Sequence, residues 1–143
     1  FYLWRTAVDI IHDNPVAGVG FKQWNKGLAE YGKKYSEYWK FTGAASHHAH
    51  NLYLSVAAET GIVGLSLFMS FWFYAVYAVF KIADRFPQGS FDRALALGVF
   101  SGLINLLLGG MFEVNLLKPQ TLLFAAFLVS LSIFTAGAKQ DAG

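Results

Sequence analysis

Three stretches of the chain, residues 61–80, 94–112 and 119–138, carry no charged side chain, and nothing else in the sequence limits the fold so tightly. At about 1.5 Å of rise per helical residue, each is long enough to cross the roughly 30 Å hydrocarbon core of a bilayer. Three such runs in 143 residues predict an all-α, polytopic membrane protein. Composition agrees: 55% of residues are hydrophobic and mean hydropathy is +0.41, above the 45–50% apolar content of soluble domains. Pro119 suits the first turn of the third helix, where its missing N–H is not needed. Gly98 and Gly102 form a G-x-x-x-G face for close helix packing in the second.

Residues 1–58 read differently. Over residues 1–13, Trp4, Ala7, Val8 and Ile11 recur at helical spacing with Arg5, Asp9 and His12 on the other side. Asn14-Pro15 stops this helix, because proline disfavours helix in the residue before it, and Gly18-Val19-Gly20 makes a turn. A second amphipathic pattern spans 21–41. Trp24, Leu28, Tyr31, Tyr35, Tyr38 and Trp39 share one stripe, with Lys22, Lys26, Glu30, Lys33 and Glu37 opposite, and Gly27 and Gly32 weaken the helix. Such a stripe suits either the lipid headgroup zone or a protein core. The division expected is a helical loop over 1–58 followed by membrane helices over 59–143.

Lys81, Arg85 and Arg93 lie in one short loop and Lys139 in the tail, against Lys118 alone in the opposite loop. The positive-inside rule therefore puts loop 81–93 and the tail in the cytoplasm, and residues 1–58 outside. A net charge of +2 gives no ground for a nucleic-acid partner, and without cysteine there is no disulfide framework or thiolate site. Residue 1 is not Met and falls inside an apolar helical pattern, so a piece of a longer chain is expected.

Where the polar segment meets the first apolar run stand His47, His48 and His50, followed by Asn51, Ser55 and Glu59 on one helical face, with Asn51 as the helix cap. Imidazole takes and gives protons near neutral pH, so this is the place to look for a reaction or a ligand. His47, His48, His50 and Glu59 offer nitrogen and oxygen donors for a metal, although the i, i+4 spacing of a helical metal site is absent. Solvated interfacial histidines are the bland alternative. The G-x-S-x-G, H-E-x-x-H and P-loop motifs are all missing, and the carboxylates are too scattered for a glycosidase pair. A transporter or a metal- or pH-sensing subunit is the rival from another class. An ionisable residue inside a span would favour it, and the three runs contain none.

His50-Asn51, nine residues, then Gly61-Ile62-Val63-Gly64 resembles the signature of the O-antigen ligase and O-antigen polymerase superfamily of bacterial envelope enzymes. Arg5 ahead of Asn14-Pro15-Val16-Ala17-Gly18-Val19-Gly20 resembles that family's second block. Together the blocks cover about residues 5–68, the expected position being the C-terminal portion of such an enzyme. Leu65 stands where ligases often carry Thr or Val, which leaves ligase and polymerase both open. The resemblance implies transfer of a glycan from a polyprenyl diphosphate to an acceptor hydroxyl, foremost that of lipid A-core in lipopolysaccharide biosynthesis. Exopolysaccharide polymerisation and protein O-glycosylation are its near variants. It also implies a multi-pass protein of the bacterial inner membrane whose active site faces the periplasm, with no metal, nucleotide or other cofactor.

A diphosphate is already a good leaving group, so the protein must position, neutralise charge and remove a proton. On that basis His50 is the expected base and Arg5 the expected diphosphate ligand, unless Arg5 merely pairs with Asp9 at i, i+4. His48, Asn51 and Glu59 are expected on the substrate side. Gly61 and Gly64 are expected to permit close packing.

Overall fold

A computed structural model of the chain describes residues 2–31, 34, 48–114 and 117–140, without the side chains of 131, 132 and 134–140. The described residues are helical, with no strand: α1 (Tyr2–Asp13), α2 (Trp24–Tyr31), α3 (Leu52–Asp84), α4 (Phe91–Gly109) and α5 (Pro119–Gln140). The chain is an all-α membrane protein segment. It divides into two compact units, one of Phe1–Met69 with Gly110–Val114 and one of Ser70–Gly109 with Asn115–Gly143.

The first unit is built on small residues that let helices approach. Ala7, Ile10, Trp24, Leu28, Ala49 and Ala58 form its core. Gly27 lies so close to Ile10 that a Cβ there would meet Ile10 Cδ1 at 2.7 Å. The buried face of α1 is therefore Thr6, Ala7 and Ile10, turned from the Trp4–Ala7–Val8–Ile11 stripe expected. Val8 is 54% exposed. On α2, Trp24 and Leu28 face the protein core, while Tyr35, Tyr38 and Trp39 lie outside the described residues.

The turn after α1 and the start of α3 exchange backbone hydrogen bonds. Gly61 has φ 67° and ψ −170°, a conformation essentially confined to glycine, and it kinks α3. The N–H of Ile62 donates to the Pro15 carbonyl (2.8 Å) instead of continuing the helical ladder. The freed carbonyls of Ala58 and Glu59 accept from Val19 and Gly20 N–H, each at 2.9 Å. Each of these groups thereby finds a partner, as a buried backbone requires. A Cβ on Gly61 would strike the Val16 carbonyl, and one on Gly18 (φ 64°) would strike the Ala58–Glu59 backbone. The close packing expected at Gly61 is thus met by chain against chain. The Cβ of an alanine at 64 would meet Thr60 of its own helix.

In the second unit Ser90 starts α4: its hydroxyl donates to the Pro87 carbonyl (2.9 Å) and accepts from Arg93 N–H (3.3 Å). The Arg93 guanidinium donates to the carbonyls of Ala83 (3.4 Å) and Phe86 (3.1 Å), closing the end of α3. These caps begin α4 at Phe91 rather than 94, and the helix ends at Gly109 rather than 112. Helices α3 and α4 are both long and apolar enough to cross a membrane. Only 11% of the α3 apolar window is buried, which suits a lipid-facing helix rather than the core of a soluble protein. Helix α5 has 22 residues, with a described apolar portion over Pro119–Ser130. Gly98 and Gly102 have open space beside them, so no described residue packs on the G-x-x-x-G face.

Replacing Gly61 with alanine combines a disallowed backbone conformation, costing about 1–3 kcal/mol, with a clash against Val16. The expected outcome is a melting temperature several degrees lower for the detergent-solubilised full-length protein, whereas Gly98→Ala leaves it within a degree or two.

Candidate functional site

Two anchors hold the segment that enters α3. Ala49 is fully buried, and its N–H donates to Ser55 Oγ (3.2 Å). Asn51 caps α3 as expected, its Oδ1 accepting from Leu54 N–H (2.9 Å). Its Nδ2 donates to the Met111 carbonyl (2.9 Å), and Leu52 N–H donates to the Gly110 carbonyl (2.7 Å). One amide therefore joins the start of α3 to the loop after α4, with both its ends engaged inside the protein.

That loop delivers Glu113 to the histidines. His50 takes a left-handed backbone, φ 51°, and its ring meets His48 edge-on with centroids 4.4 Å apart. Glu113 Oε1 lies 3.7 Å from His48 Nε2, and Oε2 lies 3.5 Å from His50 Nδ1. These distances describe ion pairs and are too long for strong hydrogen bonds. The N–H of Val114 donates to Glu113 Oε1 at 2.8 Å. That bond holds the carboxyl below the usual glutamate range. Partial burial opposes the lowering, and the neighbouring charges of His48 and His50 assist it.

A backbone hydrogen bond sets the tautomer of His48. His50 N–H donates to His48 Nδ1 (3.2 Å), so neutral His48 carries its proton on Nε2, toward Glu113. His50 turns Nδ1 toward the carboxylate at 3.5 Å, and with its proton on that nitrogen Nε2 carries the lone pair. The His50 side chain is the most open of the three at 53%, against 28% and 34% for His48 and Glu113. An imidazole backed by a carboxylate, with its second nitrogen open, is the arrangement of a general base. The donor atoms of His48, His50 and Glu113 also lie within 4.8 Å of one another, close enough to share a divalent ion. Such an ion would need the His48 Nε2 that the backbone bond keeps protonated, so this set fits a metal poorly.

Arg5 lines a cavity of about 720 Å³ that Asn51, the residue after His50, also lines. Trp4, Arg5, Val8 and Asp9 of α1 form one wall, Asn51, Tyr53 and Leu54 the second, and Met111 closes it. Asp9 pairs with Lys34 (3.3 Å), and among the described residues Arg5 makes no ion pair with it. Glu59 sits elsewhere. Its two oxygens accept the N–H groups of Lys22 (3.0 Å) and Trp24 (3.1 Å), capping α2 from another helix. His47 lies outside the described residues. Glu113 received no role from the sequence, although a signal was present: spans that alternate direction return the loop after α4 to the side of the histidines.

Residues 1–69 match the family model described as O-Antigen ligase. The exopolysaccharide production protein ExoQ of Rhizobium meliloti (strain 1021) is 26% identical over 140 residues, which are 95% of this chain and 29% of that protein. The chain thus spans less than a third of the length of this curated relative. No solved structure matches it.

Because folding lowers the pKa of Glu113, its ionised carboxylate adds stability above the ordinary glutamate value of about 4.3. That contribution is lost as pH falls through the lower folded value. Wild type is expected to exceed Glu113→Gln by at most about 1 kcal/mol at neutral pH, the scale of a partly solvated pair. In urea unfolding followed against pH, the difference shrinks toward zero below the glutamate range.

Proposed function

With residues 1–69 a stretch of the O-antigen ligase superfamily, we propose that the chain carries the transfer site of a glycan ligase. The donor is a polyprenyl diphosphate-linked glycan and the acceptor a hydroxyl, foremost on lipid A-core. Residues 1–58 form the outward, periplasmic part, and 59–143 hold it in the bacterial inner membrane. The carrying observation is that His50 and His48 converge on Glu113, while Asn51, the residue after His50, lines the same cavity as Arg5.

In this reading His50 Nε2 takes the proton of the acceptor hydroxyl as its oxygen attacks the anomeric carbon. The bond from that carbon to the diphosphate breaks on the opposite face, inverting the centre. Arg5 neutralises the departing diphosphate, for which a guanidinium fork is suited. Glu113 offsets the positive charge that His50 acquires, and His48 Nε2–H steadies its other oxygen. Asn51 and Glu59 act as supports: one fixes the loop that holds Glu113, the other fixes α2. No metal is required, since the leaving group is already activated. The relative named for exopolysaccharide production favours a second reading, in which the acceptor hydroxyl belongs to a growing polysaccharide.

In cells lacking the native enzyme, the full-length His50→Ala protein is expected to lose glycan transfer by 100-fold or more, the scale of general-base catalysis. Arg5→Lys is expected to fall about tenfold or more, because a point charge does not reproduce the fork. Envelope glycans on a gel, with membrane level of each variant checked by blot, report the result. Normal transfer by His50→Ala sinks the assignment of the base. The product, capped lipid or lengthened polymer, separates ligation from polymerisation.

A further inference from the structure

The turn between α1 and α2 leaves apolar side chains in the open. Phe21 is 72% exposed and Val16 63%, on a segment whose neighbouring Val19 packs into the core. Its position relative to α3 is set by backbone bonds, Gly20 N–H to the Glu59 carbonyl and Ile62 N–H to the Pro15 carbonyl. The turn therefore sits at the level where the charge-free run begins. Below it along α3, Ile62, Val63 and Leu67 are also exposed, at 56%, 52% and 69%. The apolar surface of turn and helix belongs to one end of a spanning segment.

Charge at the tip follows the same order. Lys22, with φ 59°, holds its ammonium 5.6 Å from the centre of the Phe21 ring, and Lys26 is exposed one turn further. The carboxylate of Glu59 is taken up by the N–H groups of Lys22 and Trp24. An aromatic ring with a lysine beside it suits the boundary between acyl chains and phosphates, where rings are favoured and the lysine stem keeps its charge in the headgroup layer. The bonds to Glu59 fix the tip in advance, so little ordering is lost on insertion.

We propose that Val16, Phe21 and Lys22 form a rigid wedge that seats in the headgroup layer of the bilayer, with Phe21 at the acyl boundary and Lys22 on lipid phosphates. The wedge sets the depth of the first unit, because the turn and the kink at Gly61 are bonded together. The inference rests on α3 crossing the membrane, and its test contains a control for that.

Single cysteines at Phe21, Val16, Glu30 and Leu67 are placed in the full-length protein freed of any other cysteine; this chain has none of its own. Each is spin-labelled and reconstituted in phosphatidylethanolamine–phosphatidylglycerol vesicles, and relaxation by oxygen is compared with relaxation by a water-soluble nickel chelate. The oxygen-to-nickel ratio at Phe21→Cys and Val16→Cys is expected to be several-fold above that at Glu30→Cys, with Leu67→Cys higher still. If the Phe21 and Val16 labels behave like the one at Glu30 while Leu67 favours oxygen, the span stands and the wedge falls. Labels at Phe21 and Val16 that neither reagent reaches overturn it as well, since another part of the protein then covers the turn. A Leu67 label that behaves like Glu30 removes the span itself.

Discussion

The structure depends on an exchange of backbone hydrogen bonds between two segments some forty residues apart. A helix interrupted at Gly61 has carbonyls to offer and an N–H to place, and the Pro15–Gly20 turn supplies the complementary groups. Each side satisfies what the other exposes, so both can be irregular without leaving a buried polar group alone. Glycines at 18 and 61 are needed less for flexibility than for contact. Any side chain at either would occupy the other strand's backbone.

From that junction the arrangement of the site follows. The exchange holds α1 against the first turns of α3, so the wall bearing Arg5 faces the wall bearing Asn51 across one cavity. Asn51 then brings in the loop after α4 by bonding to Met111. Glu113 arrives at the histidines held by its neighbour's N–H, which also lowers the pKa of its carboxyl. On the proposed mechanism, a carboxylate fixed in advance would not have to reorganise as His50 takes up its proton, which is the general condition for electrostatic stabilisation.

Much of this was legible in the sequence because it follows from periodicity and local chemistry. The first two charge-free runs gave α3 and α4, the helices long and apolar enough to cross a membrane, Asn14-Pro15 gave the end of α1, and Asn51 gave the cap of α3. Contacts set by close approach were not legible in the same way. The face α1 buries depends on Gly27 leaving room for Ile10, a relation between helices that spacing within one helix does not contain. Glu59 reads as a polar residue on the histidine face, yet its carboxylate turns to the bare N–H groups that begin α2. Glu113 lies 63 positions beyond His50, and only the return of the chain through two helices brings them together.

The order of these pieces along the chain bears on biosynthesis. The histidines and Arg5 leave the ribosome first, and the carboxylate that completes the cluster follows only after α3 and α4. A chain halted between α3 and α4 would hold His48 and His50 without the carboxylate that faces them. On the proposed mechanism, His50 gains its counter-charge only once the loop after α4 has brought Glu113 to it.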